Sequence, residues 1–261
     1  MRKCQTFLVP HYGSVGIPSN YLSVDVETTG LKPDWDLIVE IGHCAVHAGK
    51  GVGTMSTLID WTKNEYVDQD WLKAKLSLVR RHVEGDPHRP TGRTFPITYE
   101  RLGDEGILPE VAFRFYRDLF EFIRAGKGLF VMHNGLQCDV PFLEAAFEEW
   151  LQDPFIFAPY EVFDTGAMVK AAQLELYPNK NETLRDYFLR VVRKRVSGVY
   201  WSLEGYCLEA FELDKKYDLR REDLHTAGVD ALMTHWLLEE LRLADGNFSV
   251  AAGTEKRKKV K

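Results

Sequence analysis

Cysteine is scarce in this chain, and none of it is placed for metal or disulfide work. Cys4, Cys44, Cys138 and Cys207 lie far apart with no C-x-x-C pair. That spacing argues against a zinc site or a disulfide framework and fits a reducing, cytoplasmic setting. Long apolar runs are missing too: nothing approaches the roughly 18 residues that a membrane span needs, so no membrane partner is expected. The first ten residues hold two basic side chains and only a short apolar patch, less than a secretory signal requires. A positive charge balance is also lacking. The 261 residues carry a formal net charge of −6, which excludes a polycation that coats nucleic acid in bulk. It does not exclude an enzyme that grips a few nucleotides at one place. The hydrophobic share is 45% and the charged share 28%, enough for a sizeable core without staples.

What is present reads as an α/β chain. Residues 1–19 form an irregular lead-in containing Pro10, Gly13, Gly16 and Pro18. Residues 21–26 (YLSVDV) suit a buried strand, and the runs 38–47 and 52–61 flank a turn at 48–51, which predicts an antiparallel hairpin beside it. The pattern turns helical over 68–84, then passes through a Gly/Pro/His-rich loop at 85–96. Pro109 opens the next helix, in which Ala112, Tyr116, Leu119 and Ile123 recur on one face. A short strand at 129–132 (LFVM), a helix at 140–151, a strand at 161–163 and a helix at 165–173 follow. The last helix, 226–242, aligns Val229, Met233, Trp236, Leu237 and Leu241. Residues 246–261 end in TEKRKKVK and are expected to be a disordered basic tail.

Four acids and a histidine stand out by position. Asp25 and Glu27 alternate on the first strand, so both project from one face. Two like charges leaving an apolar strand need neutralising, and hard oxygen donors of this kind suit magnesium or manganese. Asp139 follows the LFVM strand and the loop 133–138, at a strand end where open α/β sheets collect ligands. Asp230 lies in the first turn of the last helix, five residues after His225. Each has a plainer reading alone: a helix cap for Asp139, a surface or capping role for His225, a dipole partner for Asp230. Their ordered combination points elsewhere.

D-V-E-T-T-G (25–30), V-M-H-N-G-x3-D-x-P-F-L (131–143) and H-T-A-G-V-D (225–230) together resemble the three motifs of the DEDDh, or DnaQ-like, 3′–5′ exonucleases. The stretch 97–115 resembles the segment those enzymes carry before their second motif. The resemblance spans about residues 20–244. It implies a ribonuclease H-like mixed sheet flanked by helices, in a domain over 20–245 with insertions near 63–93 and 176–200. It further implies that Asp25, Glu27, Asp139 and Asp230 hold two divalent ions, Mg2+ or Mn2+, with His225 as general base. Thr28, Thr29, Gly30 and Leu31 would meet the terminal nucleotide, and His133 and Asn134 would approach the substrate. Such an enzyme hydrolyses single-stranded DNA or RNA from the 3′ end, in some cases within a polymerase or repair complex.

One departure bears on the branch. The second-motif loop is a residue longer than in many proofreading relatives, and Cys138 stands where those have an aromatic. That form is more similar to the three-prime repair exonuclease branch. Basic residues gather at Arg185, Arg190, Arg193, Lys194 and Arg195 and could draw in phosphate or simply face solvent, while Tyr187 and Phe188 between them could contact bases or pack on the core. A second rim is conceivable around Trp71, Lys73, Lys75, Arg80, Arg81 and His82. The competing functions are an oligoribonuclease acting on RNA, a silent nucleic-acid-binding module, and a metal-dependent phosphatase.

Overall fold

The computed structural model describes residues 4–8, 18–84, 97–194, 203, 207, 212–219, 225–243 and 247–251. Its elements run β1 (Cys4–Leu8), β2 (Tyr21–Thr28), β3 (Ile38–His47), β4 (Lys50–Leu58), α1 (Gln69–Glu84), α2 (Tyr99–Glu105) and α3 (Pro109–Ala125). There follow β5 (Leu129–Met132), α4 (Asp139–Leu151), β6 (Val162–Asp164), α5 (Thr165–Gln173), α6 (Leu184–Arg193), α7 (Leu213–Tyr217), α8 (Ala227–Leu243) and β7 (Asn247–Ala251). The main sheet has five strands in the order β4-β3-β2-β5-β6. β2, β3 and β4 are antiparallel neighbours, whereas β5 and β6 run parallel to β2.

Strand parity divides the molecule into layers. Leu22 and Phe130 are register partners, so they share a face. Onto that face pack Phe120 and Phe147 from α3 and α4, with Phe155 and Phe157, in edge-on aromatic contacts. Tyr21, Ser23, Asp25 and Glu27 point the other way, where α8 lies across β2, β3 and β4. The Tyr21 hydroxyl bonds His235 of α8 at 2.7 Å. A helix layer therefore covers each side of the sheet, and the α8 side carries the acids.

Several boundaries differ from expectation. The hairpin turn has two residues, not four: Ala48 and Gly49 both adopt positive φ (51° and 74°), so β4 begins at Lys50. That is the backbone a tight hairpin with right-handed strand twist requires. Trp61 leaves the strand and is buried, its indole N–H donating to the Ile38 carbonyl at 2.6 Å. Two short helices, α2 and α7, were not expected. The Thr98 hydroxyl caps α2, and Tyr217 of α7 stacks on Trp236 at 4.1 Å. In α3 the fully buried stripe is Ala112, Phe113, Tyr116 and Phe120, leaving Leu119 and Ile123 at its margin.

The expected tail needs correction as well. Residues 247–251 are not disordered: they pair antiparallel with residues 4–8 of the lead-in, Phe7 opposite Phe248. Each segment is only five residues long, too short a signal to read without knowing its partner. The loop 85–96, the side chains of Arg80, Arg81 and His82, Arg195 and the final residues 252–261 lie outside the described residues. Among the described residues no helix is long and apolar enough to cross a membrane.

Candidate active site

The site forms where β2 outruns its neighbour. β5 pairs with β2 only as far as Ser23, so the next stretch of that edge is open. The Val26 N–H there donates to Asp139 Oδ1 at 2.9 Å. Asp139 is the buried first residue of α4, and the residue at the cap is Cys138, which makes no side-chain cap bond. Asp139 is thus a bridge from α4 to the acid-bearing strand as well as a charge at a helix start. From the sheet's other end of sequence, α8 begins at Ala227 and carries Asp230 in its first turn.

These elements converge. One ligand atom each from Glu27, His225 and Asp230 lies within 4.8 Å of the others, a separation that a single cation could bridge. Asp25 belongs to the same charge cluster: burial holds its carboxyl well above the usual range, and Asp139, Asp230, Glu27 and Glu40 push it further. Glu27 is raised by burial and then by Asp230, Glu40 and Asp139. Asp139 is pushed to about 7 by burial, against the lowering effect of the Val26 N–H, with Asp164 and Asp230 adding to the rise. Carboxylates that raise one another's proton affinity in this way are poised for cations, since a dication relieves the repulsion that protons otherwise relieve. The four carboxylates are hard oxygen donors, which fit a hard divalent cation such as Mg2+ or Mn2+, with the imidazole beside them.

His225 adopts a left-handed backbone, φ +63°. A histidine there costs on the order of 1 kcal/mol and persists because its surroundings hold it. Close packing supplies part of that hold. Gly42 is the register partner of Asp25, and a Cβ on it would sit 2.0 Å from the carbonyl carbon of Ala227. Only glycine lets the start of α8 approach the sheet this closely.

Two buried acids near the site were not singled out from the sequence. Glu40 of β3 is opposite Glu27 in register and 1% exposed; its carboxylate accepts the Ala227 N–H at 3.0 Å. The signal was a lone charge inside the apolar run I-V-E-I-G, where an unpaired carboxylate is costly. Asp164, at the end of β6, caps α5 through the Ala167 N–H at 2.9 Å. It also accepts the N–H groups of Asn134 at 3.0 Å and Leu136 at 3.3 Å, which ties down the loop before Asp139.

The residues expected to meet substrate sit on two braced loops. The Thr28 hydroxyl donates to the Gly30 carbonyl at 2.6 Å, while the buried Thr29 hydroxyl accepts the Leu37 N–H at 2.9 Å. Asp36 anchors this turn by accepting the Lys32 N–H at 3.0 Å and pairing with Lys75 of α1 at 2.6 Å. Leu31 projects from it, 88% exposed. His133 is buried with Nδ1 3.0 Å from the Thr165 hydroxyl, and Asn134 takes a positive φ of 59°. Thr29 and His133 therefore have internal partners, whereas Leu31 is presented outward. On α6, Tyr187 and Phe188 are buried in the core. Arg190 is held by Glu182 at 2.7 Å and Arg185 donates to the Phe157 carbonyl at 3.0 Å. Arg193 and Lys194 are exposed.

No protein-family model matches the chain, and no curated protein matches it by sequence. Solved structures do resemble it. The zinc-bound form of the E. coli exonuclease I complex with single-stranded DNA aligns with a TM-score of 0.57 at 14% identity, over 86% of this chain and 40% of that one. E. coli exonuclease I with a dA16 oligonucleotide gives 0.56 at 15% identity, over 88% and 42%. The complex with dT13 gives 0.57 at 15% identity, over 87% and 43%. The chain thus spans less than half the length of these structures. At such identity the likeness establishes the fold: a ribonuclease H-like mixed sheet flanked by helices.

Proposed function

We propose that this chain is a divalent-metal-dependent 3′–5′ exonuclease that hydrolyses single-stranded DNA to nucleoside 5′-monophosphates. The observation that carries the reading is the convergence of Glu27, His225 and Asp230 within 4.8 Å, inside a cluster that also includes Asp25 and Asp139. A module that only binds nucleic acid has no use for five such groups in one place, and a decayed site would have lost at least one. The matched exonuclease I structures hold single-stranded DNA, which supports the same substrate class here. The longer second-motif loop favours the three-prime repair branch.

Asp25, Glu27, Asp139 and Asp230 would hold two cations, which supply charge neutralisation at the scissile phosphate and at the departing oxygen. The chain's own groups then do the following. His225 accepts a proton from the attacking water through an imidazole nitrogen, as a general base. The water oxygen bonds to phosphorus, the bond from phosphorus to the 3′ oxygen breaks, and that oxygen takes up a proton. The Val26–Asp139 hydrogen bond holds two of the acid-bearing elements in one orientation. Leu31, on its braced turn, offers an apolar surface to the terminal base.

The test is digestion of 3′-labelled and 5′-labelled DNA and RNA strands, and of a nucleoside monophosphate, with Mg2+, with Mn2+ and with chelator. A metal-dependent ladder descending from the DNA 3′ end is expected. Cleavage of RNA alone would move the chain to the oligoribonuclease reading, and release of phosphate from the monophosphate would make it a phosphatase.

A further inference from the structure

We propose that Glu40 is a positioning residue: it seats the start of α8 on the sheet and so sets His225 and Asp230 against Asp25 and Glu27. The inference rests on the exonuclease reading for its kinetic consequences, but the seating itself is a matter of geometry.

Glu40 is on β3, opposite Glu27, so both side chains leave the same face of the sheet. Its carboxylate is 1% exposed and both oxygens are engaged. One accepts the Ser56 hydroxyl from β4, and the other accepts the Ala227 N–H at 3.0 Å. Ala227 is the first residue of α8, so its N–H is among those a helix cannot satisfy internally. A carboxylate at that end is also favoured by the helix dipole. The contact is made across 187 residues of chain, with Gly42 providing the space for the approach. His225 lies two residues before the fastened amide and Asp230 three after it, and the Asp230 N–H closes the first turn on the Thr226 carbonyl at 2.9 Å. Fixing Ala227 therefore fixes both functional side chains, including the histidine held at positive φ.

A neutral acceptor of the same length would serve this purpose, whereas a charged but shorter one would not. Glu40→Gln keeps the reach and removes the charge; Glu40→Asp keeps the charge and withdraws the oxygen by one methylene. Each variant is compared with the full-length wild type by thermal melting, by Mn2+-dependent hydrolysis of a single-stranded oligonucleotide, and by amide hydrogen exchange over residues 225–230. E40Q is expected to stay within about fivefold of wild type in kcat, as hydrogen bonding is restored. E40D is expected to lose roughly a hundredfold in kcat with KM nearly unchanged, the scale for a reacting group displaced by about 1 Å. Exchange at Ala227 should accelerate in E40D and not in E40Q. The reverse ranking, or equal loss in both variants, would overturn the positioning role, since charge or bulk would then be what matters. If wild type proves inert on nucleic acid, the functional reading fails. The exchange ranking then still decides whether Glu40 seats the helix.

Discussion

The acid cluster at the end of β2 and the charged helix α6, where arginines meet acids, handle charge in opposite ways. On α6, Arg190 meets Glu182 at 2.7 Å, which holds the Glu182 carboxyl below its usual range and the guanidinium above it. Each charge there stabilises its neighbour. At the β2 end, Asp25, Glu27 and Asp139 are all raised, because burial and one another's charge disfavour ionisation. A fold does not gather like charges for its own stability. Charge that is paired marks architecture; charge that is concentrated and mutually repelling marks a place for something positive to bind.

The largest expected effects come from dismantling the repelling cluster. Asp25→Asn and Asp230→Asn should each reduce metal-dependent oligonucleotide hydrolysis by roughly a thousandfold or more, while leaving the melting temperature unchanged or higher. Glu182→Ala, just before α6, should do the opposite, costing about 0.5–1 kcal/mol of stability with activity intact. Finding that D230N melts far below wild type would turn the cluster into architecture and erase the contrast.

Next in size is the histidine. His225→Gln should slow hydrolysis by roughly a hundred- to ten-thousandfold and remove the limb of the pH–rate profile that reports imidazole deprotonation. An unaltered profile in the variant would remove His225 from proton transfer.

A smaller effect separates the two regions by pH. The Asp139 carboxyl is raised to about 7 in the folded chain, above an unfolded value near 3.9. Between those values the folded state keeps a proton that the unfolded state releases, so this group makes stability fall as pH rises through the window, with the full loss above about 7. Asp139→Asn lacks that penalty. Without metal, its melting temperature relative to wild type should climb from pH 5 to pH 8, and saturating Mg2+ should abolish the difference by stabilising wild type alone. A difference that is flat with pH would show that Asp139 is not strained by its neighbours.

The smallest effect concerns Arg193 and Lys194, the exposed end of α6. If both contact phosphates, replacing them by alanine should lower the slope of log affinity against log salt by about 1.4 for a single strand. No change would leave α6 wholly structural, as Tyr187, Phe188, Arg185 and Arg190 already are in their contacts.

How much of this the sequence could disclose depends on the range of the physics involved. The alternation of Asp25 and Glu27, the β2–β3–β4 hairpins and the start of α3 at Pro109 are local patterns, and they were readable as such. His225 and Asp230 were visible through their spacing in combination with the other motifs. Glu40 was not, because its reason for being buried is an amide 187 residues away. Asp164 falls between the strand and the helix read from the sequence, yet it braces a loop 30 residues upstream. The pairing of β1 with β7 joins the two ends of the chain, and neither segment declares its partner. Tyr187 and Phe188, set among arginines, could equally contact bases or pack on the core, and only tertiary packing decides for the core.

Calorimetric titration of Mn2+ into the metal-free chain, with D25N and D230N in parallel, tests the central claim most directly. Two cations should bind per wild-type chain, with binding that strengthens as pH rises and that is weakened or lost in each variant. A wild-type chain that binds no divalent cation at millimolar concentration, or variants that bind as wild type does, would contradict it.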